Sequence, residues 1–113
     1  MKELGLIGFG NFSEFIVKYL KPFFDVYVYS RKNSEKAKEF GVKIGSLEEV
    51  ASKKIVIISK PVQYFEDLMK DMKDYVKPNS LILDVTSVKM KPVELMKKYL
   101  PDSVDILGTH PLF

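Results

Sequence analysis

Six short apolar runs punctuate this chain, and the stretches between them carry helical spacing. The runs are "LGLIGF" (4–9), "DVYVYS" (25–30), "VKI" (42–44), "KIVIIS" (54–59), "SLILDV" (80–85) and "VDILGTH" (104–110). Near-continuous apolarity, rather than alternation, marks strands buried on both faces. Phe12, Phe15, Ile16, Tyr19, Leu20 and Phe23 recur at helical spacing, and Pro22 sits near that helix's end. "NSEKAKEF" reads as a short polar helix stopped by Gly41. Ser46 and Glu49 form a capping box for "SLEEVASK". Pro61 opens a helix whose apolar stripe is Val62, Phe65, Leu68, Met69, Met72 and Val76. "KPVELMKKYL" is a further helix, ended by Pro101. Such alternation predicts an α/β chain: one doubly wound parallel sheet of the Rossmann type, about six strands with helices on both faces, spanning residues 1–113.

Composition narrows the function. At 113 residues the chain can bury one core, and 46% hydrophobic residues exclude disorder. The net charge of +3 comes from intermixed Lys, Glu and Asp, without the basic block expected of a nucleic-acid binder. Without cysteine there are no disulfides and no thiolate metal site, and no metal is expected. "MKELGLIGFG" is interrupted by glycine too early for a signal peptide, and no apolar run approaches a membrane span. A cytoplasmic protein is the expectation.

The turn after the first strand is "GFGNFS" (8–13), close to the G-x-G-x-x-G/A dinucleotide fingerprint in its strand–turn–helix setting. Gly8 would allow the tight turn and Gly10 would let the backbone approach a pyrophosphate. Phe9 lies between them. The N–H groups of Asn11 and Phe12 would face the anion at the helix N-terminus. Ser13 stands where the third glycine would serve close helix–strand packing.

About 20 residues beyond such a turn, an NAD site carries an acidic residue for the ribose 2′-OH. That location holds Ser30, Arg31 and Lys32, with no carboxylate, and Arg31 is the chain's only arginine. A carboxylate would repel a 2′-phosphate, whereas a forked guanidinium suits it. The residues therefore point to NADP as the cofactor; the bland alternative is a surface charge at a strand end. Ser59, Lys60 and Pro61 follow the fourth strand and are expected to border the cofactor, mostly through backbone shape. Ser87 and His110, the chain's only histidine, follow the fifth and sixth strands, where ligands of open α/β sheets lie.

"GLIGFGNF", "YSR", "DVTSVK" (84–89) and "GTHPLF" (108–113) together resemble the N-terminal domain of the prephenate and arogenate dehydrogenases of tyrosine biosynthesis. The likeness covers the whole chain, and "GFGNF" with "SR" resembles especially the NADP-using, arogenate-type members. The resemblance implies an oxidoreductase performing an oxidative decarboxylation, in which hydride leaves the carbon bearing the ring hydroxyl and the ring loses carbon dioxide. It implies that His110 accepts the hydroxyl proton, and that Ser87 bonds the same hydroxyl or holds the nicotinamide and His110 in register. Lys89 belongs to the matching motif but is kept out of the catalytic set. The family continues past "HPLF" into a helical domain that supplies dimerisation and basic residues for the substrate carboxylates. The expectation is thus a truncated chain, a proteolytic fragment or a split-gene product that binds NADP and turns over prephenate or arogenate slowly or not at all. A homodimer is one assembly the resemblance implies. Two other readings stay open: a stand-alone NADP-binding or sensing module, and another small NADP-dependent reductase.

Overall fold

A computed structural model describes residues 2–85 and 90–108. Six strands form one all-parallel sheet: β1 (Lys2–Ile7), β2 (Phe24–Tyr29), β3 (Lys43–Ile44), β4 (Ile55–Ile58), β5 (Leu81–Asp84) and β6 (Asp105–Gly108). Their order across the sheet is β3-β2-β1-β4-β5-β6, the doubly wound arrangement expected from the sequence. The helices between them are α1 (Asn11–Leu20), α2 (Ser34–Glu39), α3 (Leu47–Ala51), α4 (Phe65–Met72) and α5 (Met90–Tyr99).

The strands sort their side chains by alternation. Leu4, Leu6, Val26, Val28 and Ile57 face one side, where Val17 of α1 and Ala37 of α2 close over them. Ile7, Val56, Ile58 and Ile82 face the other, under α3, α4 and α5, which supply Val50, Phe65, Met69, Met72 and Met96. Each such fully buried large side chain contributes about 1.5–3 kcal/mol relative to exposure. At the start of β1, Lys53 bonds Glu3 at 2.9 Å and lies 3.9 Å from the centroid of the Tyr27 ring. The Tyr27 hydroxyl donates to Glu3 at 3.0 Å. This clasp ties β1, β2 and the turn before β4 together.

Several boundaries differ from the sequence reading for identifiable reasons. β1 begins at Lys2 and ends before Gly8, whose φ of +92° leaves the β region. The segment after Pro61 is first a 3₁₀ turn, Val62–Tyr64, and becomes α-helical only at Phe65. α4 stops at Met72, so Val76 reaches the core from the following turn. The apolar stripe expected on α1 holds in part, since Ile16 and Leu20 pack against the core. Ser13 and Val17 face the sheet, whereas Phe15, Tyr19 and Phe23 are 42%, 62% and 70% exposed. Close packing beside the glycine turn admits small side chains, so the aromatic residues lie outside it, with Phe15 and Tyr19 in ring contact at 5.4 Å. The capping of α3 is as expected: Glu49 N–H donates to Ser46 Oγ at 3.1 Å.

Gly5, in the middle of β1, is a point of close approach. A Cβ there would overlap the Val50 carbonyl of α3 and touch its Cγ1 at 3.0 Å. Gly5→Ala, which in an open strand would favour folding, is expected to destabilise this chain by about 1–3 kcal/mol, measured by urea denaturation.

Candidate functional site

The strand order reverses between β1 and β4, because the chain runs from β1 to β2 on one side and from β4 to β5 on the other. Such a reversal opens a crevice at the carboxyl edge of the sheet. Here Ser59 N–H donates to the Ile7 carbonyl at 2.8 Å, and Gly8 N–H donates to the Tyr29 carbonyl at 2.8 Å. The ends of β1, β2 and β4 are thereby tied at one point. A side chain on Gly8 would overlap the Ser59 carbonyl oxygen and lie 3.3 Å from Lys60 Cδ, and its φ of +92° is unfavourable for any residue with a Cβ. The fold alone accounts for glycine at position 8.

The fold does not account for glycine at position 10. Gly10 has φ −121° and ψ −157°, extended backbone open to any residue, and a Cβ built there would meet no atom within 4 Å. Glycine here leaves an unfilled approach to the start of α1. No side chain caps that helix, and its ladder begins with Glu14 N–H donating to the Gly10 carbonyl at 3.0 Å. The amides ahead of Glu14, those of Asn11 and Phe12 among them, point out of the N-terminus, where the helix dipole favours an anion. Ser13 is fully buried and donates its hydroxyl to the Gly8 carbonyl at 3.1 Å. It is both small enough for the tight contact and bonded to the turn it packs against.

Phe9 contributes backbone only: its ring is buried with its edge towards Phe40, centroids 5.4 Å apart, while its carbonyl accepts from the Asn33 side-chain amide. Asn33 N–H also donates to Ser30 Oγ at 3.0 Å. Asn33 therefore fixes the loop after β2 against the glycine turn. The sequence reading placed Asn33 within the following helix; the helix begins at Ser34, and the Asn33 side chain makes no cap bond to it. Arg31 and Lys32 are exposed on that loop, and Lys60 lies half-buried on the loop after β4. Burial, then the charges of Arg31 and Lys32, hold the Lys60 ammonium below its ordinary pKa of 10.5. Ser59 closes the turn through its carbonyl, and Pro61 is exposed, its carbonyl accepting from Tyr64 N–H at 3.1 Å. The loops after β1, β2 and β4 thus carry a helix N-terminus and three cationic residues at one edge of the sheet, which suits the phosphates of a dinucleotide.

Ser87, Lys89 and His110 lie outside the described residues. The strands that lead to them are neighbours, with Asp84 of β5 in register with Gly108 of β6. No group of three or more His, Cys, Asp or Glu side chains suited to a metal occurs among the described residues, and none of their helices is long and apolar enough to cross a membrane. A cavity of about 360 Å³ between α3 and the turn after α4, lined by Glu49, Ser52, Asp74 and Lys77 among others, shares no residue with the glycine turn.

The family model for the nucleotide-binding domain of prephenate dehydrogenase matches residues 18–113. The chain belongs to this family. A probable arogenate/prephenate dehydrogenase of Methanocaldococcus jannaschii is 31% identical over 94% of this chain, which spans 25% of that protein. Arogenate dehydrogenase 1, chloroplastic, of Arabidopsis thaliana is 32% identical over 98% of this chain, which spans 18% of it. Among solved structures, prephenate dehydrogenase from A. aeolicus in complex with hydroxyphenyl propionate and NAD+ superposes with a TM-score of 0.84 at 24% identity, covering 99% of this chain and 42% of that one. The chain therefore corresponds to the nucleotide-binding part of longer prephenate and arogenate dehydrogenases. The family match begins inside α1, so the glycine turn stands as an observation independent of it.

The two glycines of the turn separate fold from binding. Gly8→Ala is expected to cost about 2–4 kcal/mol of stability in chemical denaturation, through backbone strain and overlap with Ser59. Gly10→Ala is expected to stay within about 1 kcal/mol of the parent, the scale of a poorer N-cap. By titration calorimetry it should nevertheless weaken dinucleotide binding roughly tenfold or more.

Proposed function

We propose that this chain is the NADP-binding domain of a prephenate or arogenate dehydrogenase acting in tyrosine biosynthesis. The observation that carries the cofactor choice is the pairing of charges around the turn. Lys36 of α2 is bonded to Glu14 at 2.9 Å, Lys38 to Glu35 at 3.3 Å and Lys53 to Glu3 at 2.9 Å. Arg31, Lys32 and Lys60 have no such carboxylate among the described residues, and the first two hold the Lys60 pKa down. A cationic group left unpaired beside a dinucleotide turn suits a bound anion, and the 2′-phosphate is the anion that NADP has and NAD lacks.

Each residue has a definite task in this reading. Gly8 sets the turn, Gly10 admits the pyrophosphate, and the amides of Asn11 and Phe12 receive it. Ser30 keeps its hydroxyl proton for the phosphate while its oxygen accepts from Asn33. Arg31 engages the phosphate with its fork. The nicotinamide cofactor supplies a hydride acceptor. His110 would take the proton of the substrate hydroxyl, as neutral imidazole does near pH 7, with Ser87 holding the same hydroxyl or the register of the ring. A cytoplasmic site of action belongs to the same proposal, although the names of the Arabidopsis relatives place those proteins in the chloroplast.

Arg31→Ala tests the cofactor assignment. It should weaken NADP roughly tenfold or more and leave NAD within about a factor of two, as loss of a charge-assisted phosphate contact requires. Equal weakening of both cofactors in titration calorimetry would sink the 2′-phosphate role.

A further inference from the structure

Lys60 is an unusual lysine in this chain. It sits two residues past β4, across the crevice from Arg31 and Lys32, which follow β2. Its side chain does not extend straight into water. The stem runs back over the glycine turn, so that Cδ would lie 3.3 Å from a Cβ on Gly8. Glycine at position 8 therefore serves two purposes, since the surface it leaves bare is the surface the lysine stem covers. The ammonium is held half-buried near two other cations, with no carboxylate bonded to it among the described residues. Lys53, the other lysine drawn in against the sheet, has both the Glu3 carboxylate and the Tyr27 ring as partners.

A partly buried cation facing like charges is a cost that packing alone does not explain. A phosphate monoester carries about −1.5 to −2 at neutral pH and has three acceptor oxygens, which suits a site bordered by more than one cation. We propose that Lys60 is the third arm of the 2′-phosphate site, reaching it from β4 over Gly8 while Arg31 and Lys32 reach it from β2. Lys60 then discriminates by attracting the 2′-phosphate of NADP, whereas the uncharged ribose hydroxyl of NAD leaves its repulsion as it is in the free chain. The inference rests on the NADP reading above and adds a side-chain role for a residue whose backbone position alone was expected to matter.

Protonation gives a signature that a structural role would not produce. In the free chain burial and the two neighbouring cations hold the Lys60 pKa below 10.5. A phosphate against the ammonium raises it again. Binding of NADP is then expected to take up protons at alkaline pH to a greater extent than binding of NAD.

The experiment is titration calorimetry of NADP and NAD on the parent chain, Lys60→Gln, Lys60→Arg and Arg31→Ala, repeated at alkaline pH in buffers of different ionisation enthalpy. Thermal melts establish that each variant is folded. Lys60→Gln should weaken NADP roughly tenfold, leave NAD within about twofold and abolish the NADP-linked proton uptake, while Lys60→Arg retains NADP preference. Equal weakening of both cofactors by Lys60→Gln would assign the lysine to the shared pyrophosphate and overturn the inference. Loss of NADP preference in Arg31→Ala but not in Lys60→Gln would overturn it while the NADP reading stands. If neither variant changes the NADP-to-NAD ratio, or the parent does not bind NADP, both fall.

Discussion

Everything in this structure is organised around the contact between the end of β1 and the end of β4. At Gly8 a strand finishes, turns with positive φ and passes directly against the Ser59 carbonyl. The closeness is possible only because position 8 lacks a Cβ. It holds the two central strands together where their connections diverge, and so creates the crevice that a parallel sheet of this order offers a ligand. Ser13 adds a second tie, with its buried hydroxyl on the Gly8 carbonyl. Asn33 adds a third, binding the loop after β2 to Phe9. Turn, helix N-terminus and cationic loop are therefore tied together by a close backbone contact and two side-chain hydrogen bonds to backbone carbonyls.

The arrangement has an electrostatic consequence. Some lysines of the surface are matched by carboxylates, as at Lys36 with Glu14 and Lys53 with Glu3. Around the turn, burial and then the charges of Arg31 and Lys32 hold the Lys60 ammonium below its ordinary pKa, while Arg31 and Lys32 themselves are exposed to solvent. In the proposed reading a bound phosphate relieves that repulsion.

Much of the fold was legible in the sequence because buried parallel strands and helix ends leave direct marks. Unbroken apolar runs gave the strands and their number, Gly41 and the Ser46–Glu49 pair gave helix limits, and the glycine turn was located by its setting. The exposure of the aromatic residues on α1 was not legible. Hydrophobic periodicity ranks Phe15 and Tyr19 above Ser13, whereas Ser13 is the residue buried and bonded against the turn. The 3₁₀ start after Pro61 was equally hidden, since a proline marks a helix's beginning without specifying its first turn.

The sequence by itself determined the alternating architecture, the family likeness and the residue types at the cofactor turn, because these follow from local pattern and spacing. Only the tertiary structure decided which of the two glycines is required by the fold and which has open space beside it, because that depends on what lies opposite each one. It also decided that Ser13 serves in place of a third glycine and that Asn33 is a brace rather than a cap. Finally, it brought Lys60 to the charges of Arg31 and Lys32. Those residues are about thirty positions apart in the chain, and only the pairing of β1 with both β2 and β4 makes them neighbours.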